Sequence, residues 1–256
     1  MTGGVHRAAS AGFGRAGGDY ERGRPGYPAD AVDRMAAALA LGPGTIVLDL
    51  AAGTGKLTRE LTATGSQVIA VEPVTGMREQ LQATTRGARV LEGTAEHIPL
   101  PDAAVAAVTV AQAFHWFDTA AAAAEIQRVL APEGRLAVIW NAWDEHVDWV
   151  AAMMEIIHAH VDDAPQQRTS KWPQELAATG RFGTLTEETF ANPVSGDRDT
   201  LVARALSTSY IAALPVAGRD QVARAVLAVV DHDPLTAGAE RFETPYTTHL
   251  AWCERR

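Results

Sequence analysis

Val47-Leu48-Asp49-Leu50-Ala51-Ala52-Gly53-Thr54-Gly55-Lys56-Leu57-Thr58 is the stretch whose reading decides the fold. The apolar run between Thr45 and Asp49 has the length of a buried strand. Small residues and two glycines follow, and Lys56-Leu57-Thr58-Arg59-Glu60-Leu61 can form a helix. Small residues let a backbone come close to a ligand at such a turn, and the helix N-terminus behind it offers free N–H groups. The stretch therefore reads as a nucleotide-binding βα turn. A phosphate-cradling P-loop needs glycine at 50 and Ser or Thr at 57, where Leu50 and Leu57 stand. A dinucleotide fold wants a third glycine at 58 so that helix and strand pack closely around a pyrophosphate, and Thr58 is there instead. What remains is an acid at the strand, Asp49, with small residues at Ala51, Gly53 and Gly55. The plainer alternative is an ordinary glycine-containing strand–helix turn.

With 256 residues and 47% hydrophobic content, the chain can bury a sizeable core, as one large α/β domain or one domain with a cap. A formal charge of −9, with no cluster of Lys and Arg, argues against a nucleic-acid partner. Cys253 is the only cysteine, which removes an internal disulfide and a cysteine-based zinc site, and no metal is expected. No apolar stretch reaches membrane-spanning length and the start lacks a signal-peptide core, so the expectation is a cytoplasmic protein without a membrane partner.

Outward from the glycine turn, the chain alternates strands and helices. Residues 1–18 are rich in Gly and Ala without a sustained period, which reads as a mobile start. Asp19-Tyr20-Glu21-Arg22-Gly23-Arg24-Pro25-Gly26-Tyr27-Pro28 is a stiff, non-helical approach to a helix that begins near Pro28. Val32, Met35, Ala36 and Leu39 recur at helical spacing, and Leu41-Gly42-Pro43-Gly44 ends that helix. Gln67-Val68-Ile69-Ala70-Val71-Glu72 is the second strand, and Glu72 falls roughly 20 residues beyond the glycine turn, where an acid meets ribose hydroxyls in doubly wound folds. The bland alternative is a turn residue.

Further strands are expected near 88–91, 105–110 and 135–140, with a helix over 119–130 capped by Asp118. This pattern gives right-handed βαβ units and a parallel sheet whose ligands lie beyond the carboxyl ends of the strands. The glycine turn, Glu72, residues 94–96, residues 112–116, Trp140 and Asn141 all fall there. Beyond Trp143 the pattern predicts a helix through Val147, Val150, Met154 and Ile157, a strand over 184–194, helices over 199–214 and 219–230, and a last strand over 247–253. Segments 143–180 and 199–234 read as helical additions covering the strand ends.

These motifs together resemble the class I S-adenosylmethionine (SAM) methyltransferases, with Ala51 in place of the usual first glycine of motif I. Tyr20-Glu21-Arg22-Gly23-Arg24-Pro25-Gly26-Tyr27-Pro28 resembles the Y-x-x-x-R-P-x-Y-P signature of a small-molecule branch similar to trans-aconitate methyltransferases. Gly93-Thr94-Ala95-Glu96-His97-Ile98-Pro99-Leu100-Pro101-Asp102, Ala113-Phe114-His115-Trp116-Phe117-Asp118, Ile139-Trp140-Asn141 and Ser207-Thr208-Ser209-Tyr210-Ile211-Ala212-Ala213-Leu214-Pro215 are typical of it as well.

The resemblance implies an α/β, Rossmann-like fold: a seven-stranded, mostly parallel sheet with helices on both faces, an antiparallel last strand and a helical cap. It implies one domain over 1–256, with a core at about 28–142, C-terminal strands and cap at about 143–256, and an N-terminal lid at about 10–27. The implied activity is methyl transfer from SAM to a small molecule, releasing S-adenosylhomocysteine, by a monomer or homodimer. Tyr20 and Arg24 would hold the methionine carboxylate. Asp49, Ala51, Gly53 and Gly55 would line the methionyl and ribose portion, and Glu72, followed by Pro73, would bind the ribose hydroxyls. Met77 would pack on adenine, Thr94, Ala95 and Glu96 would read its edge, and Gln112 would close over the sulfonium. Many relatives carry Asp at the place of Thr94.

His115 is the candidate general base for a neutral acceptor, because an ordinary histidine titrates near neutrality; a structural histidine beside Trp116 is the alternative. Trp116, Trp140 and Trp143, with Asn141 and Tyr210, are expected to line the acceptor pocket, where aromatic walls suit a flat acceptor and shield a sulfonium. Arg168, Lys171 and Arg204 could pair with an acidic acceptor, with surface solvation as the default for each. The acceptor is expected to be an aromatic or heteroaromatic natural product, methylated at N, C or O. The alternatives are a small organic acid methylated at its carboxylate and a SAM-binding protein without transferase activity.

Overall fold

The computed structural model describes residues 24–160 and 170–256. Tyr20, most of the expected lid and Arg168 lie outside the described residues. Pro28 presets an extended backbone just ahead of α1 (Ala29–Ala38), which buries Val32 and Met35 at helical spacing. The chain then alternates through β1 (Ile46–Leu50), α2 (Lys56–Ala63), β2 (Gln67–Val71), α3 (Thr75–Thr84), β3 (Ala88–Leu91) and β4 (Val105–Ala111). A 3₁₀ turn at Phe114–Trp116 leads to α4 (Thr119–Val129), whose N-terminus is capped by the Asp118 carboxylate accepting from the amides of Ala120 and Ala121. Next come β5 (Leu130–Trp143), α5 (Asp148–His158), α6 (Trp172–Ala178), β6 (Thr186–Ala191) and β7 (Val194–Gly196). The chain closes with α7 (Arg198–Leu206), α8 (Ser209–Ala212), α9 (Val216–His232), β8 (Phe242–Thr244) and β9 (Tyr246–Glu254).

Seven strands form one sheet in the order β3-β2-β1-β4-β5-β9-β6. Strands β1 to β5 are parallel, and β9 runs antiparallel to both β5 and β6. The sheet has apolar cores on both faces, as a parallel sheet demands. One holds Leu48, Leu50, Val108, Ile126 and Trp172; the other holds Met35, Val47, Leu57, Leu61 and Ala137. Cys253 is buried in the first of these, where it packs as a small hydrophobe. A third core, with Val150, Met153, Leu201, Val222 and Val226, binds α5, α7 and α9 into the cap. The expected seven-stranded sheet with helices on both faces and a helical cap is thus the observed architecture.

Three boundaries differ from expectation. The strand expected over 184–194 is two: β6 stops at Ala191, and β7 pairs with β8 in a separate two-stranded sheet. Pro193 has no N–H to give to a ladder, and the Asn192 amide N–H turns to the carbonyl of Tyr246. The helix expected over 199–214 breaks after Leu206, where the Ser207 hydroxyl donates back to the Arg204 carbonyl at 2.7 Å. Finally, β5 begins at Leu130, through a register shift opposite Val105 and Ala107.

Candidate active site

Strand order reverses between β1 and β4, so the edge above β2, β1, β4 and β5 is where such a sheet takes its ligand. At the end of β1 the chain makes a tight turn through three left-handed residues, Ala51 (φ 58°), Gly53 (φ 59°) and Gly55 (φ 90°). The Ala52 amide donates to the Val71 carbonyl at 3.1 Å, tying the turn to β2. A side chain on Gly55 would meet Leu81 and Thr85 of the neighbouring α3 region, whereas one on Gly53 would meet nothing within 4 Å. The turn is thus closed below Gly55 and open above Gly53. Ala51 holds the left-handed conformation at a cost that glycine would not carry.

Thr58, at the place a dinucleotide fold keeps for glycine, donates its hydroxyl to Asp49 Oδ2 at 2.6 Å. Asp49 is fully buried beneath the turn, and its Oδ1 has no hydrogen-bond partner among the described residues. Burial pushes its carboxyl up to about 7, against the lowering by the Thr58 hydrogen bond and with a further push from Glu72. Asp49, expected among the cofactor contacts, also braces the strand–helix junction through its hydrogen bond with Thr58.

Glu72 joins β2 to the turn. Its Oε2 accepts from the Gly53 amide at 2.9 Å and its Oε1 from the Val74 amide at 2.8 Å, while Arg78 holds the Glu72 carbonyl. Burial raises its carboxyl, and the two amides and Arg78 pull it back. Each carboxylate oxygen keeps a further lone pair for a hydroxyl. Pro73 follows half-buried, and Met77 is buried on α3.

Beyond β3, Thr94 and His97 exchange backbone hydrogen bonds across a turn that buries Ala95. Glu96 Oε1 accepts from the Asp118 amide at 3.1 Å, joining this loop to the start of α4. The loop is also clamped by Arg128, which donates to the carbonyls of Ile98 (2.9 Å) and Leu100 (2.7 Å) and is held by Glu125. Pro99 folds over Gly93, where any side chain would collide with the proline ring. Sequence reasoning missed Arg128; its position in the last turn of an amphipathic helix was the available signal.

At the ends of β4 and β5 lies a small cavity of about 30 Å³, lined by Arg24, Gln112, Asn141, Trp143, Arg204 and Tyr246. Gln112 sits at φ 57°, a left-handed backbone that turns its side chain toward the Asn141 carbonyl, 3.4 Å away. Arg24 reaches the Ser207 carbonyl in the cap at 3.5 Å. Burial raises the Tyr246 hydroxyl above its ordinary value, opposed by the positive charges of Arg204 and Arg24 beside it. A larger hollow of about 580 Å³ near Leu39, Ala106, Arg135 and Glu254 lies at the opposite edge, away from the carboxyl ends of the strands.

The expected tryptophan wall is divided. Residues 140 and 143 are an odd number apart on one strand, so they face opposite sides of the sheet. Trp143 pairs across strands with Tyr246, rings 4.4 Å apart, at the cavity. Trp140 instead stacks flat on His249 at 5.0 Å and meets the edge of Trp172, in the packing of the sheet. Trp116 lies beside His115 on the 3₁₀ turn, ring centres 5.0 Å apart, and Tyr210 is buried in the cap core. None of Trp116, Trp140, Tyr210 and His115 lines this cavity. Arg204 and Tyr246 do; Arg204 was expected as a possible partner of an acidic acceptor with surface solvation as its default, so its burial was missed, and Tyr246 was missed altogether. Leu201, Arg204 and Ala205 share the buried face of α7 at helical spacing, which was the signal for Arg204. For Tyr246 it was the antiparallel direction of β9, which starts at the ligand edge.

Among the described residues, no group of three or more His, Cys, Asp or Glu side chains could hold a metal ion, and no helix is long and apolar enough to cross a membrane.

Comparison with known proteins matches residues 48–138 to a methyltransferase domain. An uncharacterized methyltransferase of Mycobacterium tuberculosis is 38% identical over 242 residues, covering 94% of this chain and 95% of that one. An uncharacterized methyltransferase-like protein of Schizosaccharomyces pombe is 36% identical over 168 residues, 65% of each chain. Among solved structures, one described as a type II methyltransferase from Anaeromyxobacter dehalogenans shares the fold with a TM-score of 0.65 at 21% identity, over 91% of this chain and 97% of that one. A geranyl diphosphate methyltransferase has a TM-score of 0.50 at 16% identity, over 89% and 78%. The residues present suit SAM, which carries no phosphate: the turn opens above Gly53 beside a buried ribose-type acid, Glu72, and P-loop and third-glycine features are missing. By its sequence kinship over nearly the whole chain and by its sheet, this chain belongs to the class I SAM-dependent methyltransferases.

Proposed function

We propose that this protein methylates a small-molecule acceptor, with the cofactor lying over the ends of β2, β1 and β4 and the acceptor over β5 and β9. The carrying observation is the order of residues along one sheet edge: Glu72 just after β2, the glycine turn just after β1, Gln112 just after β4, then Trp143 and Tyr246 on β5 and β9. SAM supplies an electrophilic methyl group on a sulfonium. Glu72 accepts the ribose hydroxyls, and Ala51, Gly53 and Gly55 keep the backbone clear. Tyr20 and Arg24 hold the methionine carboxylate, while Met77, Thr94, Ala95 and Glu96 enclose adenine. Gln112 orients the sulfonium end from its strained backbone. Much of the acceleration of such an in-line transfer comes from alignment and exclusion of water.

The acceptor in this reading is an aromatic or heteroaromatic small molecule, methylated at N, C or O, and the Trp143–Tyr246 pair at the cavity supports it as an aromatic contact. The second reading, O-methylation of a small organic acid, is favoured by the buried Arg204 guanidinium at the cavity, since Arg24 is taken by the cofactor. The test is incubation with SAM and extracts of the source cell, reading S-adenosylhomocysteine release and a one-methyl mass gain. Release coupled to a methylated small molecule is expected; a protein that binds SAM and methylates nothing in such extracts would return the reading to a non-catalytic SAM-binding protein.

A further inference from the structure

Arg204 is 6% exposed, and its Nε and Nη1 have no hydrogen-bond partner among the described residues. It takes part in no ion pair among the described residues, and no acidic side chain lines the cavity it borders. A buried charge without partners opposes folding, and a guanidinium cannot shed its proton to escape that cost. A sequence keeps such a group where a ligand completes it.

We infer, resting on the methyltransferase reading above, that Arg204 is the receptor for a carboxylate carried by the acceptor and so decides which acceptors enter. The guanidinium fork matches a carboxylate in two-point geometry. The remainder of the molecule would lie toward Gln112, with its ring or chain against Trp143.

SAM carries a carboxylate of its own, so two sources share this chemistry. Sheet order favours the acceptor. Glu72 stands at the end of β2, whereas Trp143 and Tyr246, which flank Arg204, stand on β5 and β9. That is three to four strand spacings, roughly 14–19 Å, with the glycine turn and Gln112 in between. The methionine end belongs over β1 and β4 and has Arg24, on the approach segment, for its carboxylate; Arg204, on α7 across the same cavity, is left for the acceptor.

The experiment uses the full chain saturated with S-adenosylhomocysteine. Ligand-observed NMR titrations compare benzoate with benzamide and succinate with succinamide, in wild type, Arg204→Gln, Arg204→Met and Arg204→Lys. The wild type is expected to favour each carboxylate at least tenfold over its amide. Arg204→Gln and Arg204→Met should lose that preference, Arg204→Lys should keep part of it, and S-adenosylhomocysteine affinity should stay within twofold throughout. Because the side chain leaves no partner behind, Arg204→Met should melt no lower than wild type. A wild type that binds S-adenosylhomocysteine but prefers no carboxylate overturns the inference alone. Tenfold weaker S-adenosylhomocysteine binding in the variants overturns it too, by giving the guanidinium to the cofactor. A markedly lower melting temperature for Arg204→Met overturns it as well, by making Arg204 structural. Wild type that binds no S-adenosylhomocysteine sinks the methyltransferase reading itself.

Discussion

Asn141 donates its side-chain amide to the carbonyl of Gly26 at 3.0 Å, and Asn192 donates to that same carbonyl at 3.0 Å. The Asn141 side-chain carbonyl in turn accepts from Thr248 and Asn192. Gly26 stands two residues after Arg24, so this network fixes the approach segment to β5, β9 and the end of β6 just below the cavity. Sequence reasoning expected Asn141 to touch the acceptor. Asn141 does border the cavity, and its amide also ties down the approach segment two residues after Arg24.

Asn141→Ala should therefore act on both stability and binding. Removing a hub with several partners leaves the Thr248 hydroxyl and the Gly26 carbonyl poorly satisfied, a cost of about 1–3 kcal/mol in urea unfolding. S-adenosylhomocysteine affinity should also fall, because Arg24 loses its anchor. Unfolding and calorimetry both at wild-type values would show that the network is ornamental.

Glu72→Ala should weaken cofactor binding tenfold or more, about 1.4 kcal/mol. Glu72→Gln separates two contributions. Its carbonyl can keep one of the amide contacts to Gly53 and Val74, but its NH₂ cannot accept the second ribose hydroxyl. An affinity intermediate between wild type and Ala is expected by calorimetry. A folded Glu72→Ala protein with unchanged affinity would take Glu72 out of the ribose site.

The sheet and the cap were legible in the sequence because their signals are periodic: apolar runs at 46–48 and 68–71, helical spacing at Val150, Met154 and Ile157. The glycine turn was legible because only small residues tolerate its backbone, and Ala51 at φ 58° occupies the position of the missing glycine at some strain. What was not legible depends on contacts distant in sequence. Trp140 and Trp143 looked like one wall because proximity in sequence hides the alternation of a strand. Arg204 looked like a surface charge because burial of a cation on a cap helix is settled by what packs over it. The network through Asn141 was hidden because Gly26 and Asn192, which it joins, are 115 and 51 residues away.

Asp49 gives the fold a pH signature. Its carboxyl has an ordinary value of 3.8 and is pushed up to about 7 in the folded chain, chiefly by burial. The native state thus keeps a proton that the unfolded state releases across the window from about 4 to 7, and stability falls as pH rises through it. The loss attributable to this group is at most about 4 kcal/mol. Asp49→Asn keeps an acceptor for the Thr58 hydroxyl without a titrating group. Urea unfolding between pH 4 and 8 should therefore show a shallower fall for the variant, and the variant should be the more stable of the two at pH 8. Parallel stability curves for the two proteins would show that Asp49 is ionised throughout.

His115 separates the two acceptor chemistries. It follows β4 on the 3₁₀ turn at the ligand edge, half-buried with its ring against Trp116, and it is outside the cavity that Arg204 borders. If the reacting atom is a neutral N–H, O–H or activated carbon, a proton must leave during transfer. His115→Asn should then lower kcat by roughly 10²-fold while S-adenosylhomocysteine affinity stays near wild type. The wild-type rate should rise with pH through a limb set by the base, and that limb should vanish in the variant. A carboxylate oxygen arrives ionised and needs no base, so with such an acceptor the variant should lose much less and the limb should be missing from both proteins. The Arg204 carboxylate site is compatible with either result, since a carboxylate can be the methylated group or only the handle that orients another. A variant with wild-type kcat and an unchanged profile on a neutral acceptor would make His115 a packing residue for Trp116, and would leave alignment over Gln112 as the source of the rate.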